Sequence, residues 1–288
     1  MTTWEDTGAS PLGGKPLPFG ALGQWYTIDM PIDDAVDTED PRPREYPCVA
    51  SGTDPGDANT AYLYLAGGLS DDGQGTAVVR DDIEFLTVDL VSEHDQDDLG
   101  WTGSALSLSD DCSGCGARWQ CRGWTGTEDL HSLIGDITPG TTWLWFGSGY
   151  LDESHTAFSD GTFAAAISVG GELTDELFVK EMDTTAGYGV ASANNRLYVF
   201  SGASTTGATP SQFSKSGAIC GDQDSQSQHH CSPADSNTPP ELKNWNGDTA
   251  PAVGRYLAGS AQESSVIFLV GGTTATEAAS DDVEWTNF

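Results

Sequence analysis

A chain of 288 residues with 44 acidic against 11 basic side chains carries a formal net charge of −33. That field repels nucleic-acid phosphates and anionic lipid surfaces, which excludes both as partners. The 35 glycines, 14 prolines and 37% hydrophobic content leave enough apolar side chains for a core. They also bring turns too frequent for a helical bundle, so an all-β fold of short strands is expected.

Two settings account for the acidity. A carboxylate-rich surface with few lysines (Lys15, Lys180, Lys215 and Lys243) stays hydrated in high salt, where its self-repulsion is screened. Calcium-rich surroundings would instead use loop aspartates as hard oxygen ligands. No stretch approaches the ~20 apolar residues of a membrane span. The start, Met1 to Asp6, has neither the basic nor the apolar region of a secretory signal. The six cysteines still point to an oxidising, extracellular or cell-surface setting. An exported chain of this kind is then a mature form, a fragment, or the passenger of another route.

In chain order, the first strand-like run is Gln24–Met30. Acidic loops follow at Asp33–Asp34 and Asp37–Asp40. Ala61–Gly68 is a short apolar run, too short for a helix, closed by Gly67 and Gly68; it reads as a buried strand. After a polar loop comes Asp81-Asp82-Ile83-Glu84-Phe85. Trp143–Gly149 is a looser copy of the glycine-ended strand, with Gly147 and Gly149. It leads to Ala164–Val169 and Asp175–Phe178. Leu197–Gly202 is the next copy, preceded by Tyr188–Arg196, and its downstream partner is not evident. Val266–Gly272 repeats the first copy closely, with Gly254–Ser260 before it and Asp281-Asp282-Val283-Glu284-Trp285 after it. Strand, Gly-Gly, acidic loop, Asp-Asp and apolar-Glu-aromatic thus recur in the same order near both ends.

This pattern resembles kelch repeats, in which an arginine precedes a small-residue strand, a second strand ends in Gly-Gly, and an aromatic residue follows. Arg255, Gly271, Gly272 and Trp285 match that order; Arg44, Gly67, Gly68 and Trp101 match it more loosely. The middle copies replace the double glycine with Gly147-Ser148-Gly149 and Ser201-Gly202. The resemblance implies one β-propeller domain over 1–288, with four to six four-stranded antiparallel blades and loop insertions near 102–125 and 204–245. Since the last blade would lack its outer strand, Gln24–Met30 is expected to supply it and close the ring. The other reading is a piece of a longer propeller.

Candidate chemistry is sparse. Cys112, Cys115 and Cys121 form a C-x2-C-x5-C cluster that would need Cys48 or His131 to complete a zinc site; a disulfide-pinned loop is the expected alternative. Cys220 and Cys231 bracket a polar loop containing His229 and His230, and a disulfide there is expected. Asp71, Asp72, Asp95, Asp97 and Asp98 are the candidate calcium ligands, although no EF-hand spacing is present. No nucleophile elbow, zinc-protease helix or phosphate loop occurs. Ser159–Phe163 is a faint echo of a sialidase Asp-box. Galactose-oxidase-like copper chemistry has no Tyr/His/Cys set here. The expected function is therefore a non-catalytic extracellular module binding protein or glycan, or self-assembling. The alternative is a carbohydrate-active enzyme on the same scaffold, because the carboxylates are too many for spacing to argue against it.

Overall fold

The computed structural model describes residues 44–71, 75–89, 101–109, 116–127, 142–159, 161–179, 185–193, 196–203, 214–218, 243–247, 250–263, 265–274 and 278–287. Among these the protein is all-β, with antiparallel open sheets and no helix. Hence no helix there is long and apolar enough to cross a membrane.

The first sheet has the order β1 (Cys48–Thr53), β2 (Thr60–Ala66), β5 (Asp82–Asp89) and β6 (Trp101–Ser107). A two-stranded ribbon, β3 (Leu69–Asp71) with β4 (Ala77–Val79), prolongs its middle hairpin. The second sheet runs β7 (Gly123–Thr127), β8 (Thr142–Phe146), β9 (Thr162–Ile167), β10 (Leu173–Val179). The third runs β11 (Gly189–Ala193), β12 (Arg196–Phe200), β13 (Ser214–Ala218), β14 (Lys243–Gly247). The fourth has three described strands, β15 (Gly259–Glu263), β16 (Val266–Val270) and β17 (Val283–Asn287). Sequential strands pair throughout, as short connections between antiparallel neighbours require.

All four glycine-ended runs are second strands, and both Asp-Asp runs open third strands. The undetected partner of Leu197–Phe200 is β13, Ser-Lys-Ser-Gly-Ala, whose composition carries no strand signal. The stretches 102–125 and 204–245, expected to hold loop insertions, also carry strands: β6 and the start of β7 in one, β13 and the start of β14 in the other. Gln24–Met30 lies outside the described residues.

The sheets stack face to face in chain order. Tyr62, Tyr64, Ile83 and Phe85 of the first pack against Leu144, Phe146, Phe163 and Ile167 of the second. The other face of the second, Trp143 and Trp145, packs on Tyr188, Leu197 and Val199 of the third. Phe200 then meets Ile267 and Leu269 of the fourth. Strand β8 explains its unbroken apolar run: successive side chains point to opposite faces, and both faces are covered. Replacing fully buried Trp143 or Trp145 by alanine would cost roughly 3–5 kcal/mol.

Candidate functional site

Each sheet is entered through the same turn. Arg44, Arg118, Thr185 and Arg255 begin these turns, and two residues later the backbone is left-handed, at Tyr46, Gln120, Gly187 and Leu257. Bulky residues avoid that region, costing about 1–2 kcal/mol, so they persist there only when neighbours fix them. Here a chain of main-chain bonds does so. Gln120 N–H donates to Tyr46 O (2.9 Å), Gly187 N–H to Gln120 O (2.7 Å), and Leu257 N–H to Gly187 O (2.8 Å). The residue after each turn-opening residue bridges the residue after the last glycine of the glycine-ended run: Glu45 with Leu69, Trp119 with Tyr150, Ala186 with Ala203, Tyr256 with Thr273.

The arginines hold these turns to the glycine-ended strands. Arg44 donates to Gly67 O (3.3 Å), to the Asp82 carboxylate and to Glu84 (2.7 Å). Arg255 donates to Gly271 O (3.1 Å), Asp282 O (3.2 Å), Ser280 Oγ (2.7 Å) and Glu284 (2.6 Å). Arg118 donates to Gly147 O (3.0 Å) and Gly161 O (2.9 Å). Gly67, Gly68, Gly202, Gly271 and Gly272 all have positive φ. A Cβ on Gly67 would stand 2.2 Å from Arg118 O, so glycine is needed there for close approach as well as conformation. Gly149 serves close approach alone: its Cβ would meet Trp119 O at 2.5 Å.

Around the entry turns lies an aromatic cluster drawn from all four repeats. Trp119, Tyr150, Ala186, Ala203 and Tyr256 form its buried part, with Leu69, Val79, Phe158 and Leu257 packed on it. His155, itself left-handed, sits 4.7 Å from the Trp119 ring and 4.6 Å from the Tyr150 ring. Burial between these rings lowers its pKa, so the neutral imidazole is favoured. The loop that carries it is pinned by Asp152, whose carbonyl accepts Trp119 Nε1–H (2.9 Å) and whose carboxylate accepts Thr156 N–H (2.7 Å). Tyr46, 49% exposed, lies 6.2 Å from Trp119 at the edge of the cluster. Arg122 crosses the same region, donating to Tyr188 O (2.9 Å) and Ala258 O (3.1 Å) in the third and fourth repeats. The arrangement is a rigid rim bearing an exposed aromatic ring, suited to stacking a flat ligand surface.

The candidates read from the sequence fall in different places. Arg255, with Gly67, Gly68, Gly202, Gly271 and Gly272, belongs to the turn frame. Trp285 lies in β17 opposite Phe268, the position Phe85 holds opposite Tyr64 in the first sheet. Trp101 lies in the outer strand β6, so the counterpart of Trp285 is Phe85 and not Trp101. Cys121 pairs with Cys48, Cα atoms 4.9 Å apart, and this disulfide ties the first repeat to the second rather than pinning one loop. Cys112, Cys115, Cys220, Cys231, His131, His229 and His230 lie outside the described residues, as do Asp72, Asp95, Asp97 and Asp98; Asp71 closes β3. Among the described residues no group of three or more His, Cys, Asp or Glu converges as metal ligands would. Sequence reasoning missed Arg118 as a frame residue, although it stands, like Arg44 and Arg255, four residues before a position that begins or abuts the first strand of its sheet. It also missed Thr185, which fills that place without a guanidinium. No protein-family model matches the chain, and no curated protein matches it.

Proposed function

We propose that the four sheets are blades of a kelch-like β-propeller and that the protein is a non-catalytic extracellular module, adapted to salt, that recognises a protein or glycan partner or assembles into a surface structure. The observation that carries this reading is Tyr46, an exposed aromatic ring held in a strained backbone by the bonds linking four entry turns. Each of the four repeats contributes one entry turn to a single linked frame, and radial stacking is how sheets with two apolar faces bury both. Strained, over-determined backbone at a surface with a solvent-facing aromatic ring is the arrangement expected of a recognition site. The buried guanidinium groups of Arg44, Arg118 and Arg255 serve the frame, which in this reading leaves the rim for binding.

The test uses Tyr46→Asn, since asparagine tolerates left-handed backbone. Glycan arrays and pull-downs with surface proteins should show a ligand for the native chain. Its affinity should fall about tenfold or more in the variant, the loss of one stacking anchor, with thermal stability nearly unchanged. Equal binding by both proteins, or release of sugar from any glycan on the array, would overturn the reading.

A further inference from the structure

The junction of the second and third sheets gathers hydrogen-bond donors that lack an acceptor. Trp143 and Trp145 alternate with Leu144, so they share the face of β8 that packs on the third sheet. Trp124 is paired with Trp145 across the ladder, and their indoles stack at 6.2 Å between centroids. Arg122 stands two residues before Trp124 and hence on the same side. The ladder extends to it, since Gly147 N–H donates to Arg122 O (2.9 Å). Tyr188 meets this face from the third sheet. The Nε1–H groups of Trp124, Trp143 and Trp145 and the hydroxyl of Tyr188 are buried, and none has a hydrogen-bond partner. Four orphaned donors at one junction call for an acceptor that the chain does not supply.

The same junction holds a positive charge without a counter-charge. Arg122 donates to the carbonyls of Tyr188 (2.9 Å) and Ala258 (3.1 Å). Among the described residues no carboxylate pairs with it, whereas Arg44 and Arg255 hold Glu84 and Glu284. In a chain with 44 acidic against 11 basic side chains, that isolation is unusual. Burial works against the Arg122 charge. Burial also raises the Tyr188 phenol pKa, and Arg122 and Arg118 stand near enough to oppose that rise. Indole and guanidinium groups only donate, so the complementary group carries lone pairs and negative charge and no hydrogens. Water fits less well, because it would bring two more donors in need of acceptors. We propose that a chloride ion lies between the second and third sheets, accepting from the Tyr188 hydroxyl and neighbouring indole N–H groups and neutralising Arg122. Trp143, Trp145 and Tyr188 are fully buried, which favours a small spherical ion over a carboxylate or sulfate. The net charge of −33 opposes an approaching anion, but at 1 M salt that field is screened within about 3 Å, while the adjacent guanidinium is not. The site thus fills as salt rises and ties the stability of this junction to chloride.

Thermal unfolding of the full chain at constant high ionic strength, with sodium chloride replacing sodium gluconate stepwise, tests this. The native midpoint should rise by roughly 2–4 °C and level off as the site saturates, and bromide should substitute for chloride. Tyr188→Phe keeps the ring and removes one donor, so its response to chloride should fall to less than half. Arg122→Met keeps the stem and removes the charge, so its response should vanish. Each variant is compared with itself in the two salts, which separates ion binding from a general loss of stability. Should Arg122→Met fail to fold, Tyr188→Phe alone decides. Equal native midpoints in the two salts overturn the proposal, as does a rise that never levels off, the mark of a general salt effect. A full native response in either folded variant also overturns it, because the ion is then bound elsewhere.

Discussion

Arg44 and Arg255 make the same grip in the first and fourth sheets: each donates to the carbonyl of the first glycine of its pair and to the glutamate two residues after the first aspartate's neighbour, Glu84 or Glu284. The Arg255 side chain is 1% exposed, so its charge is compatible with burial only while these acceptors surround it. Arg255→Ala should therefore cost roughly 3–5 kcal/mol, the penalty for orphaning one half of a buried pair. Arg255→Lys should recover little, because an ammonium cannot span Gly271, Ser280 and Glu284 as a planar fork does. Denaturant midpoints of the three proteins measure both statements.

The two glutamates behave differently under this common grip. Burial raises the Glu84 pKa above its ordinary value despite Arg44, and one of its carboxylate oxygens, Oε2, is buried without a donor. In Glu284 burial acts the same way but is outweighed by the hydrogen bonds from Arg255 and from Ala252 N–H (2.6 Å), so its pKa is lowered. Glu284→Gln should accordingly destabilise more than Glu84→Gln. Equal losses in paired urea titrations at neutral pH would refute the difference.

The first and second sheets are clipped together by Asp54, and this clip gives a pH dependence with a defined sign. Its carboxylate accepts from the Tyr62 hydroxyl, Gly170 N–H (2.9 Å) and Gly56 N–H (2.6 Å). The Tyr62 hydroxyl bond, then the Gly170 bond, lower the Asp54 pKa below 3.8. A carboxyl depressed in the folded state adds stability above its unfolded pKa of about 3.9 and loses it as pH falls through the folded value. Burial, then Asp54, push the Tyr62 phenol up to about 12 from 10.0. A raised phenol adds stability below pH 10 that is lost as pH rises toward 12. Asp54→Asn should flatten the acid limb of a stability profile and also make the alkaline limb shallower, because without Asp54 the Tyr62 phenol is raised less. An unchanged acid limb would remove Asp54 from the account.

How much of this was legible depended on whether a strand had to be apolar. Strands β2, β8, β12 and β16 are buried by neighbours on one or both faces, so covering them demanded continuous apolar residues that sequence alone displays. Strand β13 answers no such demand, and Ser214–Ala218 could not be distinguished from a loop. The frame was half legible. Gly67-Gly68 and Gly271-Gly272 advertise positive φ, but Tyr46, Gln120 and Leu257 adopt it through the inter-repeat bonds, and nothing in their identity announces that. The aromatic rim was hidden for a similar reason: Trp119, His155 and Tyr46 come from separate turns, and spacing along the chain does not measure their approach.

The Cys48–Cys121 bridge joins sequence positions 73 apart inside the shared core of the first two sheets. Closing a loop of that length should restrict the unfolded chain by about 4 kcal/mol. Both sulfurs are fully buried, so reductant should leave the folded protein untouched and act once denaturant opens it. The double variant Cys48→Ala/Cys121→Ala should lose about that energy in guanidinium titrations. A loss below about 1 kcal/mol would mean that the denatured chain already holds the two repeats together.

Gly171 tests the close packing that the clip maintains. It follows Gly170 with φ of +88°, and a Cβ there would fall 2.6 Å from Phe85 and 2.7 Å from Tyr62, both within aromatic rings. Two penalties add in Gly171→Ala: a left-handed alanine costs about 1–2 kcal/mol, and an overpacked core costs typically 1–3 kcal/mol. The rings have little room to retreat, since Tyr62 is held by Asp54 and Phe85 stands edge-on against it at 5.9 Å between centroids. The variant should therefore weaken the junction of the first two sheets specifically. Hydrogen exchange should rise in 60–66 and 82–89 before it rises in 189–193, and a uniform rise would show that the sheets do not open one junction at a time.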